Sequence, residues 1–197
     1  MLNIGVLVSG GGTNLQSIID STKLGEINGE IKVVISNKES VYALERARLN
    51  NIKAFYETNE DEIINLLKEN NIDLVVLAGY LKIISPKFVE VFRDKIINIH
   101  PSLIPAFCGE GYYGEKVHQA VVDYGVKVTG ATVHFVDEKA DNGPIIMQET
   151  VTVNSSDDAK SVAKKVLQIE HKILSESLKL FCDHKLTIKG RSVFINE

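Results

Sequence analysis

Ile97-Asn98-Ile99-His100-Pro101-Ser102-Leu103-Ile104-Pro105 is the stretch from which the rest of the chain can be read. The apolar run around it delivers an amide and an imidazole two residues apart. Side chains alternate across a strand, so Asn98 and His100 share one side and Ile97 and Ile99 the other. Pro101 has no amide hydrogen for a neighbouring strand, so the strand is expected to end there, with both polar groups at its carboxyl end. Open α/β sheets bind ligands at that end. For an isolated Asn-x-His, the plainer reading is a buried pair satisfied by backbone. What surrounds the stretch decides between the two.

Working outward, residues 74–78 are an all-apolar strand ending in Gly79-Tyr80, and Ser85-Pro86 reads as the cap and first residue of a short helix to Phe92. Upstream, Leu2–Val8 is apolar on both faces, as in a buried parallel strand. Further strands are expected at 31–35 and 52–55, with helices beginning near Leu15 and spanning 41–50 and 60–70. Downstream come a helix over Glu115–Tyr124, a strand over 131–136 with Thr132 and His134 on one face, and a polar loop over 137–143. A strand at 145–153 and a long helix at 157–181 follow. Short strands at 186–188 and 192–195 flank Lys189-Gly190-Arg191. Strands alternating with helices predict an α/β fold: a doubly wound, mostly parallel sheet with helices on both faces and a small C-terminal hairpin. No repeat or linker divides the 197 residues, which read as a single domain over 1–197.

A formal charge of -4 opposes general nucleic-acid binding. The start of the chain has no basic segment, and its apolar run is too short for a signal peptide or a membrane span. Cys108 and Cys182 lie far apart and form no metal or disulfide pattern, which makes a reducing cytoplasm the expected location. Neither His100 nor His134 sits in a metal-ligand motif, so no metal is expected. Nothing in the sequence sets an oligomeric state.

Ser9-Gly10-Gly11-Gly12-Thr13-Asn14 lies between a strand and a helix, where free amides and the helix dipole favour an anion. A dinucleotide fits poorly. The third glycine position of the fingerprint is Leu15, and the second strand ends in Ser36-Asn37-Lys38 without a ribose-binding carboxylate. A single phosphate is the better reading; a glycine turn that only packs helix on strand is the alternative. The loop over 137–144 offers Asp141, which could reach an imidazole on a neighbouring strand end, fix its tautomer and raise its pKa. An Asx-turn role for Asp141 is the plainer reading from composition, and Glu138 competes with it. With no serine elbow, amide, imidazole and carboxylate remain, a set suited to acyl transfer through an oxyanion. Ser102 reads as a turn residue.

Asn98–Pro105, with Thr132-Val133-His134-Phe135-Val136 and Asp141-Asn142-Gly143-Pro144, resembles the folate-dependent formyltransferases over nearly the whole chain. The opening Val8-Ser9-Gly10-Gly11-Gly12-Thr13-Asn14-Leu15-Gln16 resembles the branch that formylates glycinamide ribonucleotide. The resemblance implies direct formyl transfer from 10-formyltetrahydrofolate, as co-substrate, to that amine in purine biosynthesis. It places Asn98, His100 and Asp141 as the catalytic set. Gly12, Thr13 and Asn14 match the phosphate loop, and Glu170 matches a position on the substrate amine side. Leu81, Lys82, Ile83, Ile84 and Val136 match the folate slot. Two small molecules are the partners implied. A formyltetrahydrofolate hydrolase, or a non-catalytic sugar-phosphate-binding module, is the alternative.

The chain departs from the family pattern in places. Leu81-Lys82 stands where Met-Arg is frequent. The segment after Phe55 lacks a phosphate-side arginine, which shifts that charge to the glycine loop or to a lysine elsewhere. The loop over 106–116 is longer than usual and is expected to be mobile near the site mouth, with Cys108 an exposed, inert thiol.

Overall fold

Apolar runs of alternating parity build one sheet with a core on each face. The computed structural model describes residues 1–196; Glu197, the last residue of the expected domain, lies outside the described residues. β1 (Leu2–Val8), β2 (Gly29–Ser36), β3 (Lys53–Tyr56), β4 (Leu74–Leu77) and β5 (Ile96–His100) pair in parallel. β6 (Val128–Phe135) adds antiparallel to β5 after a long connection, and β7 (Ile145–Thr152) pairs antiparallel with β6, the connection between those two being too short for a parallel crossover. β8 (Leu186–Lys189) and β9 (Ser192–Ile195) form the expected hairpin, which joins the edge of β7 through Ile145 and Ser192. The order is β3-β2-β1-β4-β5-β6-β7-β9-β8. The chain runs outward from β1 through β2 to β3 and then restarts at β4 on the other side of β1. The topological switch point therefore lies between β1 and β4.

Among the described residues six helices cover the sheet: α1 (Thr13–Lys23), α2 (Tyr42–Leu49), α3 (Glu60–Glu69), α4 (Pro86–Val91), α5 (Glu115–Tyr124) and α6 (Ala159–Cys182). Strand parity assigns them to faces. Ile4, Val6, Val8, Val34, Leu74, Val76, Ile97 and Ile99 join residues of α1, α2, α5 and α6 in one core. Leu7, Val33, Ile35, Val75, Leu77 and Ile96 meet α3 and α4 in the other. Asn98 and His100 have the parity of Ile96 and so lie on the α3–α4 face. Helix starts follow local chemistry: Ser85 Oγ accepts the Phe88 N–H ahead of Pro86, Asn59 caps α3, and Asp158 with Ser161 closes a capping box on α6.

Candidate functional site

Strand β5 ends at His100, as Pro101 requires, and its two polar side chains emerge beside β6. The register pairs Asn98 with His134 and His100 with Thr132, so an amide and two imidazoles meet on one face. Asp141 arrives from the loop between β6 and β7. That loop lies so close to β6 that a Cβ on Gly143 would overlap the Phe135 carbonyl. Asp141 itself has φ 51°, a left-handed conformation that aspartate tolerates. Asp137 does the turn work, accepting from Lys139 N–H and Asn142 Nδ2, and Glu138 turns outward to Arg93 at 3.5 Å. Of the competing carboxylates, only Asp141 reaches the imidazoles.

The hydrogen bonds fix most of the protons. His134 Nδ1 donates to the Phe135 carbonyl at 2.7 Å, so its Nε2 accepts from Asn98 Nδ2 at 3.1 Å. The other Asn98 hydrogen points to Asp141 Oδ1 at a longer 3.4 Å. His100 Nε2 lies 2.9 Å from the Phe107 carbonyl, which can only accept, so Nε2 carries the hydrogen. His100 Nδ1 is then a lone pair facing Asp141 Oδ2 at 3.4 Å. Gly109 N–H donates to the same carboxylate oxygen at 2.9 Å.

Burial drives the His100 pKa below its usual value and outweighs the opposing pull of Asp141 and of the Phe107 carbonyl. The carboxylate does act upward on it, as expected from the sequence, but desolvation prevails: His100 is 5% exposed. Burial also pushes Asp141 up, but His134, His100 and the Gly109 amide together hold it below the usual carboxylate range. The resting pair is a carboxylate beside a neutral imidazole, with a vacant lone pair at Nδ1.

At the switch point, Gly12 adopts φ 74° and caps α1. A Cβ there would come 2.7 Å from that of Ala43. Carbonyls of the glycine loop turn toward α2: Ala43 N–H donates to Gly10 and Arg46 Nε to Gly11, at 3.3 and 2.8 Å. Gln16 N–H is the first amide of the helix to find a backbone carbonyl, that of Gly12. The amides before it remain for an anion. Arg46 also donates to Gln16 Oε1 and stacks on Tyr42, so a cation is built onto this loop, an arginine rather than the lysine considered above. Ser9 ties the loop to its neighbour: its hydroxyl donates to Asn37 Oδ1 and accepts Leu81 N–H.

A cavity of about 530 Å³ opens at these strand ends, the size of a small-molecule site. Asn98, His100 and Asp141 form its floor together with His134 and His118. Asn14 and Glu170 line one side. Asn14 Nδ2 donates to Glu170 Oε2 at 2.8 Å, and burial raises the Glu170 carboxyl although this bond partly offsets it. Leu81, Lys82, Ile83, Ile84 and Val136 all line the cavity. Leu81 and Ile83 are 46% and 65% exposed, an apolar surface available to a flat ligand. The Lys82 ammonium is spent on the Thr58 carbonyl. Thr13 lines a separate shallow hollow with Arg46 and His171, so of the three predicted glycine-loop residues only Asn14 enters the main cavity. Gly109–Gly114 of the long loop border the mouth. Cys108 is half-buried, and burial and Asp141 raise its thiol, which keeps it inert.

The model of a family described as formyl transferase matches residues 2–178. The chain belongs to that family. It is 38% identical over 205 residues to the phosphoribosylglycinamide formyltransferase of Haemophilus influenzae, covering all of this chain and 94% of that one. The chloroplastic phosphoribosylglycinamide formyltransferase of Vigna unguiculata is 39% identical over 192 residues, 93% of this chain; the chain spans 62% of that protein's length. In structure, glycinamide ribonucleotide transformylase 1 from Symbiobacterium toebii superposes with a TM-score of 0.94 at 39% identity, covering 100% of this chain and 95% of the other.

Reading the sequence by motif missed His118 and Arg46 as neighbours of the site, and the backbone of residues 107–109 as part of it. His134 was visible only as one member of the Thr132/His134 face. Parity could have flagged that pairing, whereas contacts made by main-chain atoms leave no residue signature.

Proposed function

We propose that the chain transfers the formyl group of 10-formyltetrahydrofolate to the amine of glycinamide ribonucleotide, as its relatives' names indicate for them. The observation that carries this reading is the convergence of Asn98, His100 and Asp141 in one cavity, which Asn14 of the glycine loop and the apolar side chains of Leu81, Ile83 and Ile84 also line. The phosphate would lie on the Gly12–Asn14 amides, the ribose and amine side near Glu170, and the pterin against Leu81–Ile84 and Val136. Two unpaired thiols, Cys108 and Cys182, suit a cytoplasmic location.

The mechanism follows from the protons. The substrate amine attacks the formyl carbon, forming a C–N bond and an oxyanion. Asn98 turns toward that oxygen the hydrogen it shares most weakly, the one 3.4 Å from Asp141. His100 Nδ1 takes the proton released by the attacking nitrogen and returns it to the folate nitrogen as the C–N bond to the carrier breaks. Asp141, 3.4 Å from Nδ1, balances the charge of the imidazolium formed in between.

The test is consumption of 10-formyltetrahydrofolate followed by absorbance, with and without glycinamide ribonucleotide, and with the product analysed by mass. Consumption that needs the ribonucleotide and yields its formyl derivative is expected. Equal consumption without it would make the protein a hydrolase, and none in either case a binding module. Arg46 gives a second check on the phosphate side. Arg46→Ala removes a cation and the anchor of the Gly11 carbonyl, so KM for glycinamide ribonucleotide is expected to rise roughly tenfold, a charged hydrogen bond being worth about 1.5 kcal/mol. The unphosphorylated riboside should show no such change; a parallel loss on both substrates would put Arg46 outside phosphate recognition.

A further inference from the structure

Phe107 acts on the site through its backbone, whose carbonyl supplies the acceptor that fixes the His100 proton. We propose that Phe107, clamped between Tyr112 and Tyr124, is a positioning residue that decides which nitrogen of His100 carries hydrogen. The inference rests on the reading of His100 Nδ1 as the proton acceptor.

Two acceptors compete for the single hydrogen of the neutral ring. Asp141 Oδ2 faces Nδ1 at 3.4 Å, and the Phe107 carbonyl faces Nε2 at 2.9 Å. A carboxylate is the stronger acceptor, so a loosely held carbonyl would lose the hydrogen to Nδ1–H···Oδ2. In that tautomer Nδ1 has no lone pair, and the proton from the attacking amine has nowhere to go. The active tautomer therefore depends on how firmly the Phe107 carbonyl is aimed.

Its backbone does not hold that aim unaided. Phe107 has φ 49°, in the left-handed region that non-glycine residues avoid. Its ring compensates, meeting Tyr112 edge-on at 6.2 Å and Tyr124 at 5.9 Å, and packing against the α5–α6 core. On the other side Ser102 Oγ holds the Ala106 carbonyl at 2.6 Å, and Cys108 Sγ reaches that of Pro105. Two residues further on, Gly109 N–H holds Asp141. One turn thus orients both members of the pair through main-chain atoms. Tyr124 is 80% exposed at the far end of α5 and does not line the cavity, so an aromatic clamp on the surface acts on a buried imidazole.

The experiment is ¹⁵N–¹H correlation of histidine-labelled protein without substrates, above the His100 titration, paired with steady-state kinetics. Wild-type His100 should show the Nε2–H tautomer. In Phe107→Ala the Nδ1–H form should become the major one, with kcat falling tenfold or more and KM for the amine substrate within about threefold. Phe107→Tyr keeps the ring and should restore both. Tyr124→Ala, a surface change that leaves the core intact, should produce a smaller shift in the same direction. The proposal is overturned if Phe107→Ala retains the Nε2–H form, whether or not kcat falls, or if Tyr124→Ala leaves tautomer and kcat at wild-type values. The tautomer is read without any reaction, so this outcome is separate from whether the wild-type protein formylates glycinamide ribonucleotide.

Discussion

Replacing His100 by alanine is expected to lower kcat about a thousandfold while leaving binding of the phosphorylated substrate within a few-fold of wild type. Two effects add. The substitution removes the base that takes the amine proton, a contribution of roughly 10² to 10⁴ in rate. It also removes the imidazolium that would face the collapsing intermediate. Binding should survive, because the glycine loop and Glu170 lie on elements that His100 does not hold: α1 packs on α6, and Asn14 is bonded to Glu170. Rapid-quench turnover and calorimetric titration with glycinamide ribonucleotide measure the two quantities separately. Loss of binding in step with turnover would make His100 a structural residue and remove the proton step from the mechanism.

Asp141→Asn should cost nearly as much, about 10² to 10³ in kcat, without a change of shape. The amide oxygen can still accept Gly109 N–H. That oxygen is also the one 3.4 Å from His100 Nδ1, so the NH₂ takes the Oδ1 place beside Asn98 Nδ2 and His134 Nε2, and what is lost is the negative charge that balances the imidazolium formed during transfer. The sign of the pH effect is also fixed. In the native protein burial lowers the His100 pKa and Asp141 pulls it back up. Neutralising Asp141 leaves only the Phe107 carbonyl to oppose burial, so His100 should titrate at still lower pH in the variant, both midpoints lying below the ordinary value of 6.5. NMR titration of the His100 ring in both proteins checks this. A midpoint that moves upward would show that the carboxylate does not act on His100 electrostatically.

The architecture was legible because it rests on local rules. Apolar runs with strand parity give β1, β2 and β4, glycines follow β1 and β4 while Ser36-Asn37-Lys38 ends β2, and Ser85-Pro86 starts α4 where capping chemistry requires. Helix α5 spans the expected Glu115–Tyr124, because its apolar stripe and Gly125 bound it unambiguously. The turn from parallel to antiparallel pairing at β6 was not legible. Partner choice depends on where a long loop lets the chain re-enter the sheet, and no residue encodes that distance.

The site divides along the same line. Sequence by itself determined that Asn98 and His100 share a face at a strand end, and that a glycine turn opens a helix with its amides free. Those properties follow from backbone periodicity and from proline's missing hydrogen. Tertiary structure brought Asp141 rather than Glu138, between which spacing could not choose, to the imidazoles, let burial outweigh the carboxylate's upward pull on the His100 pKa, and brought Arg46 onto the glycine loop. It also set the His100 proton on Nε2 through a main-chain carbonyl seven residues away. Each of these is a balance between burial, charge and hydrogen-bond partners drawn from separate segments, and such a balance exists only once those segments are packed together.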